Sequence, residues 1–257
     1  MKGGEFITAF LTAMENIDFV NDALSLIQES GGLKFGTDAL LLAGYVTGKY
    51  KIGAELGAGT GIITMLLLTR EKLSSALCLE VQEEYARLTE KNASLNGLTD
   101  KITTVCADIR EYPAEAVYEL VYTNPPYMKT TSGKASTLDK KNIARHEVNG
   151  DIADFLESAR KLLKYGGAFY AVYRPDRLTD LITAMRNAEI EPKRMTFVHA
   201  NTEKEPSMVL VEGKRGGKSG MILTPPLIIY KSSENQEYSD DMNYIMENGV
   251  FPDRFSR

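Results

Sequence analysis

Lys51-Ile52-Gly53-Ala54-Glu55-Leu56-Gly57-Ala58-Gly59-Thr60-Gly61-Ile62-Ile63-Thr64-Met65-Leu66-Leu67-Leu68-Thr69 is the stretch that decides the fold. Lys51–Leu56 reads as a short β-strand and Ile62–Thr69 as an apolar helix, with only a glycine-rich turn between them. Glycines there let the backbone pass close to a ligand and bend without a Cβ clash. A tight strand-to-helix turn without a ligand would use the same residues. The turn is not the dinucleotide pattern Gly-x-Gly-x-x-Gly, because its third glycine comes one residue early. Glu55 at its entrance would repel a pyrophosphate and suits a cationic ligand or a ribose better.

Outward from this stretch, strand and helix patterns alternate. Ser75–Val81, Ile102–Ala107, Glu119–Thr123 and Ala168–Tyr173 read as further strands, and Glu83–Asn96 as a helix stopped by Gly97. Asp151 is placed to cap a helix that runs to Leu163 and is ended by Gly166 and Gly167; Asp176–Ala188 is another. Arg194–His199 and Met208–Glu212 lie too close together for a crossover helix and read as an antiparallel pair. The pattern predicts an α/β fold: a Rossmann-like, mostly parallel sheet with an antiparallel edge hairpin and helices on both faces. Upstream, Leu24–Gln28 and Leu33–Phe35 flank Gly31-Gly32 and predict a small hairpin, after which Thr37 caps the helix Asp38–Val46. The chain divides into an N-terminal extension (1–49), a core (50–230) and a polar tail (231–257) with little periodicity. Met1–Ala13 are left out of the fold argument, with Met14 a candidate natural start.

Composition bounds the function. The chain has 257 residues, a formal net charge of −5, 43% hydrophobic and 25% charged residues, which excludes disorder as its main state. Two cysteines make no disulfide framework, no His/Cys cluster has zinc spacing, and with only His146 and His199 no metal is expected. The apolar run Ile62–Leu68 falls far short of the roughly 20 residues that span a bilayer. Glu5 and Glu15 flank a weak apolar stretch that makes a poor secretory signal, so the expected compartment is the cytoplasm and no membrane partner is expected.

Two more acids stand at strand tips. Glu80 comes 21 residues after Gly59, where a carboxylate can take both hydroxyls of a ribose. Asp108, in Cys106-Ala107-Asp108-Ile109, is placed to accept from an adenine amino group. Each acid alone reads equally well as a solvated strand end. Together with Glu55, at three successive tips beside Gly57, Ala58, Gly59 and Gly61, they favour a nucleoside ligand without phosphates. S-adenosylmethionine, whose sulfonium is positive, is the expected cofactor, with Val81 and Ile109 beside the acids in its pocket.

Asn124-Pro125-Pro126-Tyr127 ends the fourth core strand beside that crevice. Pro-Pro alone would simply stop a strand, as Thr224-Pro225-Pro226-Leu227 is read to do. Here each position has a chemical use. The lone pair of an exocyclic amine is delocalised into its π system, and two acceptors on its N–H groups would favour pyramidalisation and aim it at a methyl carbon. The Asn124 side-chain oxygen and the Pro125 carbonyl suit that task. The prolines fix φ and add no competing N–H, and Tyr127 offers a stacking face worth roughly 1–3 kcal/mol for a base. No strong general base is needed, because positioning against a reactive sulfonium supplies much of the rate.

Glu55–Gly61, Glu80, Asp108 and Asn124–Tyr127, in this order and spacing, resemble the class I S-adenosylmethionine-dependent methyltransferases of the amino-group branch over roughly residues 50–212. Phe35-Gly36-Thr37-Asp38-Ala39-Leu40-Leu41-Leu42-Ala43 narrows the resemblance to bacterial enzymes that methylate N6 of the adenosine 3′ of the anticodon in a valine tRNA. In that family this segment closes over the methionine end of the cofactor, which implies cofactor roles for Phe35, Thr37 and Asp38; Asn124 also borders the cofactor. Read from its own residues, the same segment is an amphipathic helix with Leu40–Leu42 in the core. A glutamine N-methyltransferase acting on a release factor, a guanine-N2 methyltransferase acting on ribosomal RNA, and a non-catalytic RNA-binding module are the rival readings.

The overall charge is negative, but Lys129, Lys134, Lys140, Lys141 and Arg145 against Asp139 give Lys129–Arg145 a local net of +4, directly after Tyr127. This segment is expected to contact RNA phosphates, although a solvated loop would look the same. Lys214, Arg215 and Lys218 form a smaller basic cluster, and nothing implies an oligomeric state. Cys78 and Cys106, each two residues before a tip acid, are expected on adjacent strands and one face, unbonded, filling core.

Overall fold

A computed structural model describes residues 15–21, 23–29, 36–113, 115–125, 150–234 and 236–256. Of the sequence expectations, those on Leu33–Phe35, Pro126, Tyr127, Lys129, Lys134, Lys140, Lys141, Arg145 and His146 lie outside the described residues.

The alternating pattern produces five parallel strands: β3 (Tyr50–Leu56), β4 (Leu73–Glu80), β5 (Ile102–Cys106), β6 (Tyr118–Thr123) and β7 (Leu163–Tyr173). They lie in the spatial order β5-β4-β3-β6-β7, so the order reverses beside β3. A long antiparallel hairpin, β8 (Ile190–His199) with β9 (Pro206–Arg215), extends the sheet from β7. The short strands β10 (Ile222–Leu223) and β11 (Leu227–Ile228) both pair with β8 and complete a nine-stranded sheet.

Helices cover both faces. On one lie α1 (Thr37–Tyr45), α2 (Ile62–Thr69) and α3 (Glu83–Leu95), over a core that includes Leu41, Leu42, Leu66 and Cys78. On the other lie α4 (Ile152–Leu162) and α5 (Leu178–Asn187), over Leu56, Val121, Phe155 and Leu181. Helix α2 is apolar apart from Thr64 and Thr69, and every residue from Ile62 to Leu68 is buried.

Four local readings are revised. Leu24–Glu29 (β2) pairs antiparallel with Glu15–Asn21 (β1), a strand the sequence pattern does not predict; the expected partner Leu33–Phe35 lies outside the described residues. Helix α1 has Gly36 at its N-cap and Thr37 as its first residue, so Thr37 does not cap it. Gly166 and Gly167 do not end α4; Asp151 and Asp154 form its capping box, Leu163 closes it, and the glycines lie inside β7 where its register against β6 shifts. Gly166 takes φ +79° there, as a bulge requires. The tail contains a helix, α6 (Asp240–Asn248), and Met242, Ile245, Phe251 and Phe255 are buried in the same core as Leu41 and Leu42.

Cys78 and Cys106 are free and lie on adjacent strands. Cys78 pairs with Thr104 and Glu80 with Cys106, a stagger of two residues that keeps both thiols on one face. Cys78 fills core as expected. Cys106 does not: it lies at the end of the edge strand and is exposed.

Candidate active site

The glycine-rich turn joins β3 to α2 with Gly57, Gly59 and Gly61 at φ +69°, +56° and +78°, a region in which L side chains are strained. The glycines differ in surroundings. A Cβ on Gly61 would lie 2.9 Å from both Met65 and Thr89, whereas one on Gly59 would meet no atom of the described residues within 4 Å. Gly59 therefore borders open space, and a ligand can approach its backbone. The Gly57 and Ala58 amides donate to the Leu79 carbonyl at 2.9 and 3.0 Å, which locks the turn to β4.

Glu80 is 5% exposed, and its two carboxylate oxygens accept from the Gly59 and Gln82 amides, both at 2.9 Å. A carboxylate oxygen has more than one acceptor position, so the pair remains competent toward ribose hydroxyls. The Ala107 amide donates to the Glu80 carbonyl at 3.0 Å and brings Asp108 beside the same tip. Arg110 grips Asp108 in a fork, with contacts from 2.5 to 3.0 Å, and holds its carboxyl below the usual carboxylate range. Asp108 is thereby kept as an anionic acceptor. Val81 is half-buried beside Glu80, and Ile109 is buried with its carbonyl accepting from Ser158.

Glu55 does not face this space. It is 1% exposed and lies beneath the turn, where one carboxylate oxygen accepts from the Thr64 amide at 3.2 Å and from the Thr64 hydroxyl at 2.5 Å. The hydroxyls of Thr64 and Tyr122 are 2.6 Å apart, and Cys78 Sγ is 3.3 Å from Thr64. Glu55 thus caps the first turn of α2 from inside the sheet, a role Gly61 at the N-cap has no side chain to fill. Burial pushes its carboxyl up to about 8, against the lowering effect of the Thr64 bonds. The reason is strand parity: Ala54 and Leu56 face the α4 side, so Glu55 faces α2.

Asn124 directly follows β6, next to the order reversal. Its side-chain amide donates from Nδ2 to Asp38 Oδ2 at 2.8 Å. A carboxylate accepts and an amide NH₂ donates, so this contact fixes which end of the amide points where. The opposite atom, Asn124 Oδ1, is buried and has no hydrogen-bond partner among the described residues. A buried acceptor left unsatisfied costs about 1–3 kcal/mol unless something arrives to fill it. Pro125 is buried beside it. Asp38 is itself set by the Ala39 amide, which donates to its Oδ1 at 2.9 Å, and a Cβ on Gly36 would lie 2.4 Å from that oxygen. Thr37 and Asp38 are half-buried at the start of α1.

Sequence reasoning missed several partners. Nothing in the spacing of Asp38 and Asn124 announces their contact. Asn92 on α3 and Asn96, the residue that caps its C-terminus, grip the β2 backbone: Asn92 accepts from the Ile27 amide at 2.6 Å and Asn96 from the Ser25 amide at 3.0 Å. Asn92 also donates to the Thr60 carbonyl at 3.1 Å, tying the hairpin to the glycine-rich turn. Of the smaller basic cluster, Arg215 is turned inward and donates to the Leu163 carbonyl.

A family model described as "Methyltransferase small domain" matches residues 29–190, more than half of the chain. The chain belongs to the methyltransferase small domain family. Among curated proteins, it is 25% identical over 219 residues to the tRNA1(Val) (adenine(37)-N6)-methyltransferase of Dyadobacter fermentans, covering 84% of this chain and 90% of that one. It is 27% identical over 209 residues to the protein of the same name from Parabacteroides distasonis, covering 77% and 84%. Among solved structures, a predicted O-methyltransferase of Agrobacterium tumefaciens superimposes with TM-score 0.68 at 20% identity, over 84% of this chain and 98% of that one. The M. jannaschii TYW2 protein in complex with AdoMet gives TM-score 0.56 at 13% identity, over 80% and 87%. These likenesses establish the methyltransferase fold. Among the described residues, no helix is long and apolar enough to cross a membrane, and no group of three or more His, Cys, Asp or Glu could hold a metal ion.

Proposed function

We propose that this family member transfers a methyl group from S-adenosylmethionine to the exocyclic N6 amine of an adenine in tRNA, the adenosine 3′ of the anticodon of a valine tRNA. The observation that carries the reading is the pairing at Asn124: its amide nitrogen is held by Asp38 and its buried carbonyl oxygen has no partner among the described residues. An oxygen held in that state is an acceptor waiting for a donor. The names of the Dyadobacter and Parabacteroides relatives support an adenine N6 amine as that donor.

The open space beside Gly59 and the acids at successive strand tips fit the cofactor. Glu80 takes the ribose hydroxyls, Asp108 the adenine amino group, and Val81 and Ile109 flank the base. Gly57, Ala58, Gly59 and Gly61 shape the turn along which the cofactor lies, and Phe35, Thr37 and Asp38 cover its methionine end. Glu55 acts only through the turn it caps. When bound, the sulfonium supplies an electrophilic methyl carbon.

The chain's own residues act on the target. Asn124 Oδ1 accepts one N–H of the amine and the Pro125 carbonyl the other, which localises the nitrogen lone pair toward the methyl carbon. Asp38 prevents the Asn124 amide from flipping and offering a donor instead. Pro126 adds no competing N–H, and Tyr127 stacks on the base. Lys129, Lys134, Lys140, Lys141 and Arg145 contact phosphates, and the unpaired anticodon-loop base is cheaper to extrude than one in a duplex. The test offers labelled S-adenosylmethionine with tRNA, ribosomal RNA or release factor. Label in tRNA supports the reading; label only in ribosomal RNA or release factor overturns the substrate.

A further inference from the structure

We propose that the cavity bounded by Thr37, Asp38, Arg174, Ser207, Met208 and Ile229 seats the target base, with Arg174 at its rim holding that nucleotide's phosphate; this rests on the function proposed above. The cavity has a volume of about 280 Å³, which suits one planar ring system. It shares Asp38 with the Asn124 contact, so its wall continues directly from the acceptor.

The sheet order explains why it lies there. Asn124 follows β6; the acids assigned to the cofactor stand at or after β4 and β5, on one side of it. The cavity opens on the other side. Thr123 pairs with Ala171 and Tyr173 with Val209, so Arg174 and Met208 come next on the same edge. Ile229 follows β11 beside the end of β8. Cofactor and base thus approach from opposite sides of β6 and meet at Thr37 and Asp38, which border both, beside the residue that meets the amine.

The lining fits that occupant. Met208 and Ile229 offer a thioether and an aliphatic side chain to the face of a purine, and Thr37 and Ser207 offer hydroxyls to its edge. Asp176 holds the Arg174 guanidinium in a planar fork, Nε to Oδ1 at 2.8 Å and Nη2 to Oδ2 at 2.5 Å, which fixes its orientation at the rim. With that edge of the guanidinium on Asp176, Arg174 meets a phosphate chiefly through its positioned charge, which lysine retains without the fixed orientation.

The test is steady-state methylation of a valine tRNA transcript, with calorimetry of S-adenosylhomocysteine as the fold control. Ser207 is exposed and Arg174 half-buried, so neither change opens the core. Arg174→Ala is expected to raise KM for tRNA roughly tenfold or more while kcat holds. It should also make the slope of log affinity against log salt shallower by about 0.7. Arg174→Lys should restore the slope and part of the KM. Ser207→Trp, which fills the cavity, should abolish transfer with cofactor affinity retained. If wild type methylates tRNA while both Arg174→Ala and Ser207→Trp keep its KM, turnover and salt slope, the seat is refuted and the function stands. If wild type transfers no methyl group to any tRNA, the function is refuted and the seat with it.

Discussion

Replacing Glu55 with glutamine tests whether the acid at the entrance of the glycine-rich turn caps a helix or touches a ligand. Burial raises its carboxyl from 4.5 to about 8. Between these values the folded chain keeps a proton that the unfolded chain has released, so folding takes up a proton and stability falls as pH rises. The contribution is fully present below 4.5 and lost above about 8. The slope is a little over 1 kcal/mol per pH unit, which by pH 7 amounts to about 3 kcal/mol. Glu55→Gln removes that dependence. Its amide oxygen can still accept from the Thr64 amide, so the fixed loss is about 1 kcal/mol. The variant is therefore expected to be less stable than wild type at pH 5 and more stable at pH 8, with a gain near 2 kcal/mol at pH 7. For a chain of this size that raises Tm by roughly 4–8 °C. Urea denaturation across pH 5–9 reads the crossing directly. Parallel curves would refute the buried-cap account, and a tenfold loss of S-adenosylhomocysteine affinity would return Glu55 to the ligand.

Three further outcomes follow from other contacts. Gly36→Ala places a Cβ 2.4 Å from Asp38 Oδ1, so it should displace Asp38, release Asn124 and lower kcat about tenfold or more, with a smaller loss of S-adenosylhomocysteine affinity because Asp38 also borders the cofactor; single-turnover kinetics beside calorimetry check it. Asn92→Ala removes bonds to Ile27 and Thr60 and should cost about 2–4 kcal/mol in denaturant unfolding, with faster hydrogen exchange in the β1–β2 hairpin. Ending the chain after Tyr238 removes Met242, Ile245, Phe251 and Phe255 from the core and the Phe255 carbonyl from Arg194, so the shortened chain should lose its cooperative thermal transition.

What could be read from the sequence was whatever local chemistry dictates. Gly57, Gly59 and Gly61 between a short strand and an apolar helix leave few foldings open, and Glu80 and Asp108 emerge at neighbouring tips because they stand at or just after the ends of adjacent parallel strands. The rest depends on groups far apart in sequence. Asp38 and Asn124 meet only because α1 starts over the tip of β6, and β2 is held by side-chain amides of α3 rather than by its own hydrophobic pattern. The polar tail hides four anchors, Met242, Ile245, Phe251 and Phe255, among charged residues with no sustained period to mark them. Glu55 faces α2 for a simpler reason: a residue one short of the end of a central parallel strand has helices, not solvent, on both sides.

The most direct measurement is nucleoside mass spectrometry of valine tRNA after incubation with S-adenosylmethionine and either wild type or Asn124→Ala. The account predicts N6-methyladenosine at the nucleotide 3′ of the anticodon with wild type. With Asn124→Ala it predicts none, while S-adenosylhomocysteine affinity stays within a few-fold. Methylation at another atom or nucleotide, or an Asn124→Ala variant that keeps most of its turnover, would contradict it.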